Sequence, residues 1–165
     1  MDYIPVCTDA AITNLADIAS EIWNEYWPEH IGQGQTSYMV QKFQSKAAIT
    51  QAIKQDGYQY FLLVVDGTII GYSGVHIETE NQRLFLSKLY LFKDCRGHGY
   101  AREVIEFYAQ LCRVNHLDSI YLTVNKGNQM AITAYLKNGF VTIDSVETDI
   151  GENYIMDDYI MEKTI

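Results

Sequence analysis

The sequence predicts a mixed α/β (α+β) domain: a central, mostly antiparallel sheet of about seven strands flanked by about four helices. Three observations predict it. Apolar residues recur at three- and four-residue spacing in the first third of the chain and again after residue 100. From Tyr58 to Phe92 the pattern changes to short, strand-like apolar runs separated by turn residues. Between Leu84 and Val124 a strand–helix–strand passage requires one parallel pair inside the otherwise antiparallel sheet. A chain of 165 residues, 48% hydrophobic and 20% charged, is expected to form one domain, residues 1–165, with a full core.

The elements follow in order. "YIPVCT" reads as a short first strand. Thr8 or Asp9 can cap a helix that buries Ile12, Leu15, Ala19, Ile22, Trp23 and Tyr26 on one face and ends near Pro28. "PEHIGQGQ", with two glycines, reads as a loop, and "TSYMVQKF" suits a short helix. Ser45 caps a further helix with Ala48, Ile49, Ala52 and Ile53 on one side, stopped by Gly57. "YQYFLLVV" and "TIIGYSGVHI" flank Asp66-Gly67, the signature of a tight primed hairpin. "ENQ" turns the chain into "RLFLSKLYLF". Beyond the corner "CRGHGYA", Ala101, Val104, Ile105, Tyr108, Leu111 and Cys112 mark a helix, and "SIYLTV" a strand. Asn128 caps "QMAITAYLKN", Gly139 follows its end, and "FVTIDSVET" and "YIMDDYIMEK" close the chain as two strands. The apolar final strand is either covered within the monomer or paired across a homodimer.

Composition narrows the function classes. Twelve Lys and Arg against 21 Asp and Glu leave a net charge of −9, which disfavours nucleic acid and anionic membranes as partners. The same charge favours a cationic substrate and equally serves solubility. No apolar run reaches the roughly 18 residues of a membrane span, and "MDYIPVCTDA" lacks a signal-peptide pattern. Cys7, Cys95 and Cys112, an odd count without metal-like pairing, fit reduced thiols and a cytoplasmic location. The four histidines are scattered and give no metal spacing, so no metal is expected.

The corner carries the chemistry. A helix N-terminus has unpaired N–H groups and partial positive charge, and glycines before it let an anion approach the backbone. Arg96-Gly97-His98-Gly99-Tyr100-Ala101 has this form: Gly97, Gly99 and small Ala101 clear the approach, and Arg96 adds a cation. Arg102 occupies the third small position of the dinucleotide fingerprint, and the Gly-Lys-Ser/Thr of a Walker loop is absent. The remaining R-x-x-G-x-A pattern resembles the pyrophosphate loop of the GNAT superfamily of N-acetyltransferases. Downstream, "VNKGNQMAITAYLKNGF" resembles that superfamily's second recurrent segment through Asn128, Ala131, Ile132, Tyr135, Gly139 and Phe140. The end "YIMDDYIMEKTI" and the segment order are also similar to bacterial spermidine/spermine-type polyamine acetyltransferases.

The resemblance implies acetyl-CoA as co-substrate, lying in a wedge where the fourth and fifth strands splay apart. Leu89, Tyr90 and Leu91 would offer main-chain groups to the pantetheine and thioester, the loop Arg96, Gly97, His98, Gly99, Tyr100, Ala101 and Arg102 would hold the pyrophosphate, and Asn128 would bond the pantetheine arm or a bound water. Tyr135 would protonate the leaving thiolate after direct attack by an amine. The strand glutamate that some relatives use as a base is absent: Phe85 stands at its position and Ser87 at a second acidic one. Glu25, His30, His76, Asp157 and Asp158 remain candidate bases. In the superfamily the first helices and the last strand pair line the acceptor site. Here these hold acids and aromatics, Glu25, Tyr38 and Asp157 among them, suited to a polyamine or diamine through charge pairing and cation–π contact. Two other readings stand beside this one: acetylation of a protein or peptide amine, and a non-catalytic acyl-CoA sensor.

Overall fold

The computed structural model describes residues 1–165. Seven strands and six α-helices follow in the order β1 (Asp2–Pro5), α1 (Asp9–Tyr26), α2 (Pro28–Ile31), α3 (Gln33–Phe43), α4 (Lys46–Lys54), β2 (Tyr58–Val65), β3 (Thr68–Glu78), β4 (Arg83–Leu91), α5 (Tyr100–Val114), β5 (Ser119–Asn125), α6 (Gln129–Lys137), β6 (Val141–Gly151) and β7 (Tyr154–Thr164). They build one sheet of order β1-β2-β3-β4-β5-β7-β6. The expected parallel pair is β4 with β5, and it is short: Arg83, Leu84 and Phe85 face Ser119, Ile120 and Tyr121, and the register stops there.

The chain folds into two compact units. The first comprises residues 1–76 and 88–100. Its core joins the apolar face of α1 (Ile12, Leu15, Ala19, Ile22) to Ile49 of α4 and to Tyr60, Leu62 and Tyr72 of the sheet. Local chemistry sets the helix starts. Thr8 Oγ1 accepts from Ala11 N–H at 3.1 Å, and Ser45 Oγ from Ala48 N–H at 3.2 Å. The hairpin between β2 and β3 turns on Asp66 (φ 49°) and Gly67 (φ 77°), both in the left-handed region that a type I′ turn needs. Tyr72, fully buried, donates its hydroxyl to Gln44 Oε1 at 2.9 Å, so this polar pair is satisfied inside the core.

The stretch expected as a loop, "PEHIGQGQ", is helical except at one residue. Pro28 takes the first position of α2, where its missing N–H costs nothing. Gly32, at φ 82°, is the single break before α3, and Gly34 lies inside that helix. His30 is therefore a helix residue and not a loop residue.

The second unit comprises residues 77–87 and 101–165. Helix α5 buries Val104, Ile105, Tyr108, Ala109 and Cys112, and β5 and β6 both pair antiparallel with β7. The final strand is thus paired on both sides within the chain, and the edge is β6, exposed along most of its length with Val141 and Ile143 uncovered. Glu152 (φ 54°) and Asn153 (φ 63°) form the β6–β7 turn.

Candidate active site

At the corner, a 3-10 turn over Lys93–Cys95 ends β4. Cys95 N–H donates to Phe92 O at 2.9 Å and Arg96 N–H to Lys93 O at 3.2 Å. The next three amides, of Gly97, His98 and Gly99, donate to no backbone carbonyl. Gly97 (φ 78°) and Gly99 (φ 85°) sit in the left-handed region, and a Cβ built on either would meet no atom within 4 Å. The glycines are therefore needed for backbone conformation, and the space beside them is open. Unpaired amides with open space before a 15-residue helix form a cradle for an anion. His98 is exposed and stacks against Tyr100, ring centroids 6.0 Å apart; Tyr100, Ala101 and Arg102 open the helix, Arg102 exposed.

The side chain of Arg96 points elsewhere. Its Nε donates to Leu91 O at 3.0 Å, and its guanidinium lies 4.8 Å from the Tyr26 ring centroid. Next to Leu91, Tyr90 stacks obliquely on Tyr72 at 5.4 Å and edge-on to Trp23 at 5.3 Å. Gly71 makes room for this part of β4, since a Cβ there would fall 2.1 Å from Tyr90 O. Leu89, Tyr90 and Leu91 are all partly buried.

The second recurrent segment has a structural explanation of its own. Asn128 Oδ1 caps α6 by accepting from Ala131 N–H at 3.3 Å. At the other end Gly139 N–H donates to Leu136 O (3.1 Å) and Phe140 N–H to Tyr135 O (3.1 Å), a Schellman pair with Gly139 at φ 87°. The hydrophobic contact that accompanies such a stop is here Tyr135 against Phe140, ring centroids 5.4 Å apart. The Asn–Tyr–Gly-Phe spacing is thus the spacing of a helix with both ends specified, and it fixes the tyrosine ring. Burial pushes the Tyr135 phenol up to about 12, so it stays protonated at neutral pH.

Each candidate acceptor residue has its own surroundings. Glu25 is exposed on α1. Tyr38 of α3 accepts from Lys42 Nζ at 3.4 Å, within its own helix. Asp157 pairs with Lys126 Nζ at 2.6 Å, and Lys126 also lies 5.5 Å from the Tyr159 ring. Asp158 is buried, and desolvation, helped by Asp157 and opposed by Lys126, pushes its carboxyl up to about 6. His30 stacks on Tyr26 at 4.5 Å, and His76 lies 5.0 Å from Tyr58. Phe85 stacks on Tyr121 at 4.8 Å, and the Tyr121 hydroxyl donates to Glu78, which Arg83 also holds at 3.3 Å.

Two features escaped sequence reasoning. Lys88 lies on β4 with its stem 3.2 Å from where a Gly74 Cβ would be, and burial pushes its ammonium down to about 8. A lone lysine within an apolar strand run was the available signal. The Glu78–Arg83–Tyr121 cluster joins the ends of β3 and β4 to β5, distant in sequence, and no local pattern announces it. No group of three or more His, Cys, Asp or Glu stands together to hold a metal, and no helix is long and apolar enough to cross a membrane.

The model of the acetyltransferase (GNAT) family matches residues 19–140. Among curated proteins, the chain is 27% identical over 93 residues to "GCN5-related N-acetyltransferase 6, chloroplastic" of Arabidopsis thaliana; that match covers 56% of the chain and 31% of the relative, about a third of its length. Among solved structures, the PaiA N-acetyltransferase of Thermoplasma acidophilum in complex with coenzyme A superposes with a TM-score of 0.79 at 19% identity, over 100% of both chains. A variant of the spermidine N-acetyltransferase SpeG of Vibrio cholerae gives a TM-score of 0.69 at 17% identity, over 99% of this chain and 95% of that one. At these identities the two structures speak for the fold.

Proposed function

The chain belongs to the acetyltransferase (GNAT) family, and on that premise we propose that it transfers an acetyl group from acetyl-CoA to a primary amine by direct attack in a ternary complex, the acceptor being a small cationic amine such as a polyamine. The observation that carries the cofactor half is the corner: three amides without carbonyl partners beside two positive-φ glycines with open space. These residues fit a pyrophosphate, which needs N–H donors and close backbone approach. The main chain from Gly97 to Ala101 would hold it, and the main-chain groups of Leu89, Tyr90 and Leu91 would orient the pantetheine arm. Asn128, whose Oδ1 caps α6, would bond the pantetheine arm or a bound water.

Acetyl-CoA supplies a thioester-activated acetyl group. An N–H of the β4 strand, donating to the thioester oxygen, would stabilise the charge that develops there as the amine nitrogen attacks, a type of contact worth roughly 3–4 kcal/mol per donor. Tyr135, protonated at neutral pH, would hand its proton to the departing sulfur. The incoming ammonium must lose a proton. Of the candidate bases, Asp158 is the carboxyl whose affinity for protons lies near neutrality, while Asp157 is engaged with Lys126.

The cationic acceptor is supported by the net charge of −9, by the acids on β6 and β7, and by the fold shared with a spermidine N-acetyltransferase. The test is release of the coenzyme A thiol from acetyl-CoA against spermidine, spermine, putrescine, an aminoglycoside and a lysine peptide. Turnover with the polyamines is expected; turnover with the peptide alone would move the acceptor to proteins.

A further inference from the structure

The side chain of Arg96 closes a circuit of contacts. From Tyr90 of β4 the path runs to Trp23 (5.3 Å), to Trp27 (5.3 Å), to Tyr26 (5.1 Å), and from Tyr26 to the Arg96 guanidinium (4.8 Å). Arg96 Nε then returns it to β4 at Leu91 O (3.0 Å). His30 of α2 fills the circuit from one side, 4.5 Å from Tyr26 and 5.9 Å from Trp27. Trp23 and Trp27 are buried, 3% and 7% exposed, and are the only two tryptophans of the chain. Every member belongs to the first compact unit.

We propose that Arg96 is a positioning residue that couples the corner loop to the aromatic end of α1, so that a cofactor seated on the loop orders the helix wall against which the amine is held. The inference rests on the function proposed above, which takes the corner for coenzyme A, and on the expectation that the first helices line the acceptor site. Three features of the geometry carry it. Arg96 is the first residue of the corner loop, one position before the open amides, so a ligand there acts on its backbone directly. Its charge-assisted bond to a main-chain carbonyl fixes the end of β4. Its flat guanidinium packs on an aromatic face, which a lysine reproduces poorly. The charge is felt at Tyr26: burial raises the phenol and Arg96 opposes that rise. A cation placed only to meet pyrophosphate has no need of either partner.

The experiment uses coenzyme A itself, with calorimetry for binding and tryptophan emission for the state of the circuit. In the wild-type chain coenzyme A should change the emission of Trp23 and Trp27. In Arg96→Met and Tyr26→Leu, coenzyme A should still bind within about threefold of wild type while the emission change is lost, and KM for the amine should rise at least fivefold with kcat little altered. Tyr26→Phe, which keeps the ring, should behave as wild type, and Tyr26→Leu/Arg96→Met should be no worse than either single variant. Melting curves verify that each variant is folded; Arg96→Lys, which retains the charge but not the Nε donor, serves if Arg96→Met does not fold and should give the same loss. Coenzyme A binding that falls tenfold or more in the Arg96 variants would overturn the proposal, because it would make Arg96 a ligand of the cofactor. An emission change preserved in Tyr26→Leu would overturn it also. Failure of the wild-type chain to bind coenzyme A would sink the function reading first and the coupling with it.

Discussion

Gly67 and Gly99 provide a matched pair. Both lie in the left-handed region, at φ 77° and 85°, and a Cβ on either meets no atom within 4 Å. Replacing either by alanine therefore brings no clash, only the strain of an L residue in that region, roughly 1–2 kcal/mol. For a chain of this size that is a fall in Tm of roughly 2–8 °C, the same for Gly67→Ala and Gly99→Ala. Only Gly99 stands at the proposed pyrophosphate loop. A methyl group there occupies the space the anion needs, and loss of even one charged hydrogen bond, about 1.5–3 kcal/mol, weakens binding roughly 10- to 100-fold. Calorimetric titration of coenzyme A into both variants separates the two effects, because the backbone strain is shared. Equal affinities for the two, once each is shown to be folded, would refute the assignment of the corner.

Three further outcomes are expected. Tyr135→Phe should lower kcat by roughly 100-fold or more, the usual share of a general acid, with coenzyme A affinity unchanged; undiminished kcat at saturating substrates would remove Tyr135 from the chemistry. Asp158 holds a proton in the folded chain up to about pH 6, well above the ordinary aspartate range, so the folded state binds more protons than the unfolded one across that window. Stability should accordingly fall as pH rises toward 6. Asp158→Asn should then stabilise by about 2–3 kcal/mol at pH 7.5 and by little at pH 4, taking about 1.4 kcal/mol per pH unit; equal melting shifts at the two pH values would contradict this. Tyr72→Phe should cost about 1–3 kcal/mol in a denaturant titration, because the buried Gln44 Oε1 loses its donor; an unchanged midpoint would show that the pair contributes nothing.

What the sequence revealed were the features whose causes are local. Asp66-Gly67 fixes its hairpin through its own backbone angles, and Thr8, Ser45 and Asn128 cap their helices through bonds that span three residues. Gly97 and Gly99 mark the corner for the same reason. "PEHIGQGQ" reads as a loop only if glycine and proline break a helix at every position. Pro28 sits where a helix begins, and Gly34 is tolerated because α3 packs on α1. The direction of the Arg96 side chain was not legible either, since it depends on Tyr26, seventy positions upstream and brought near by the fold. Likewise Phe85 appeared in the sequence only as a missing glutamate; its stacking on Tyr121, and through Tyr121 the link to Glu78, needed the parallel register of β4 and β5.

The sheet ends on one side at β1, four residues long and finished by Pro5, and on the other at β6. That second margin is eleven residues long and exposed over most of its length, enough to accept a foreign strand. It carries Asp144, Glu147 and Asp149, and any second copy drawing near would bring the same carboxylates and the same net charge of −9. Mutual repulsion thus guards the margin that hydrogen bonding leaves open. Val141 and Ile143 face solvent on that same strand, so these carboxylates are what keeps an apolar, unpaired margin from meeting its like.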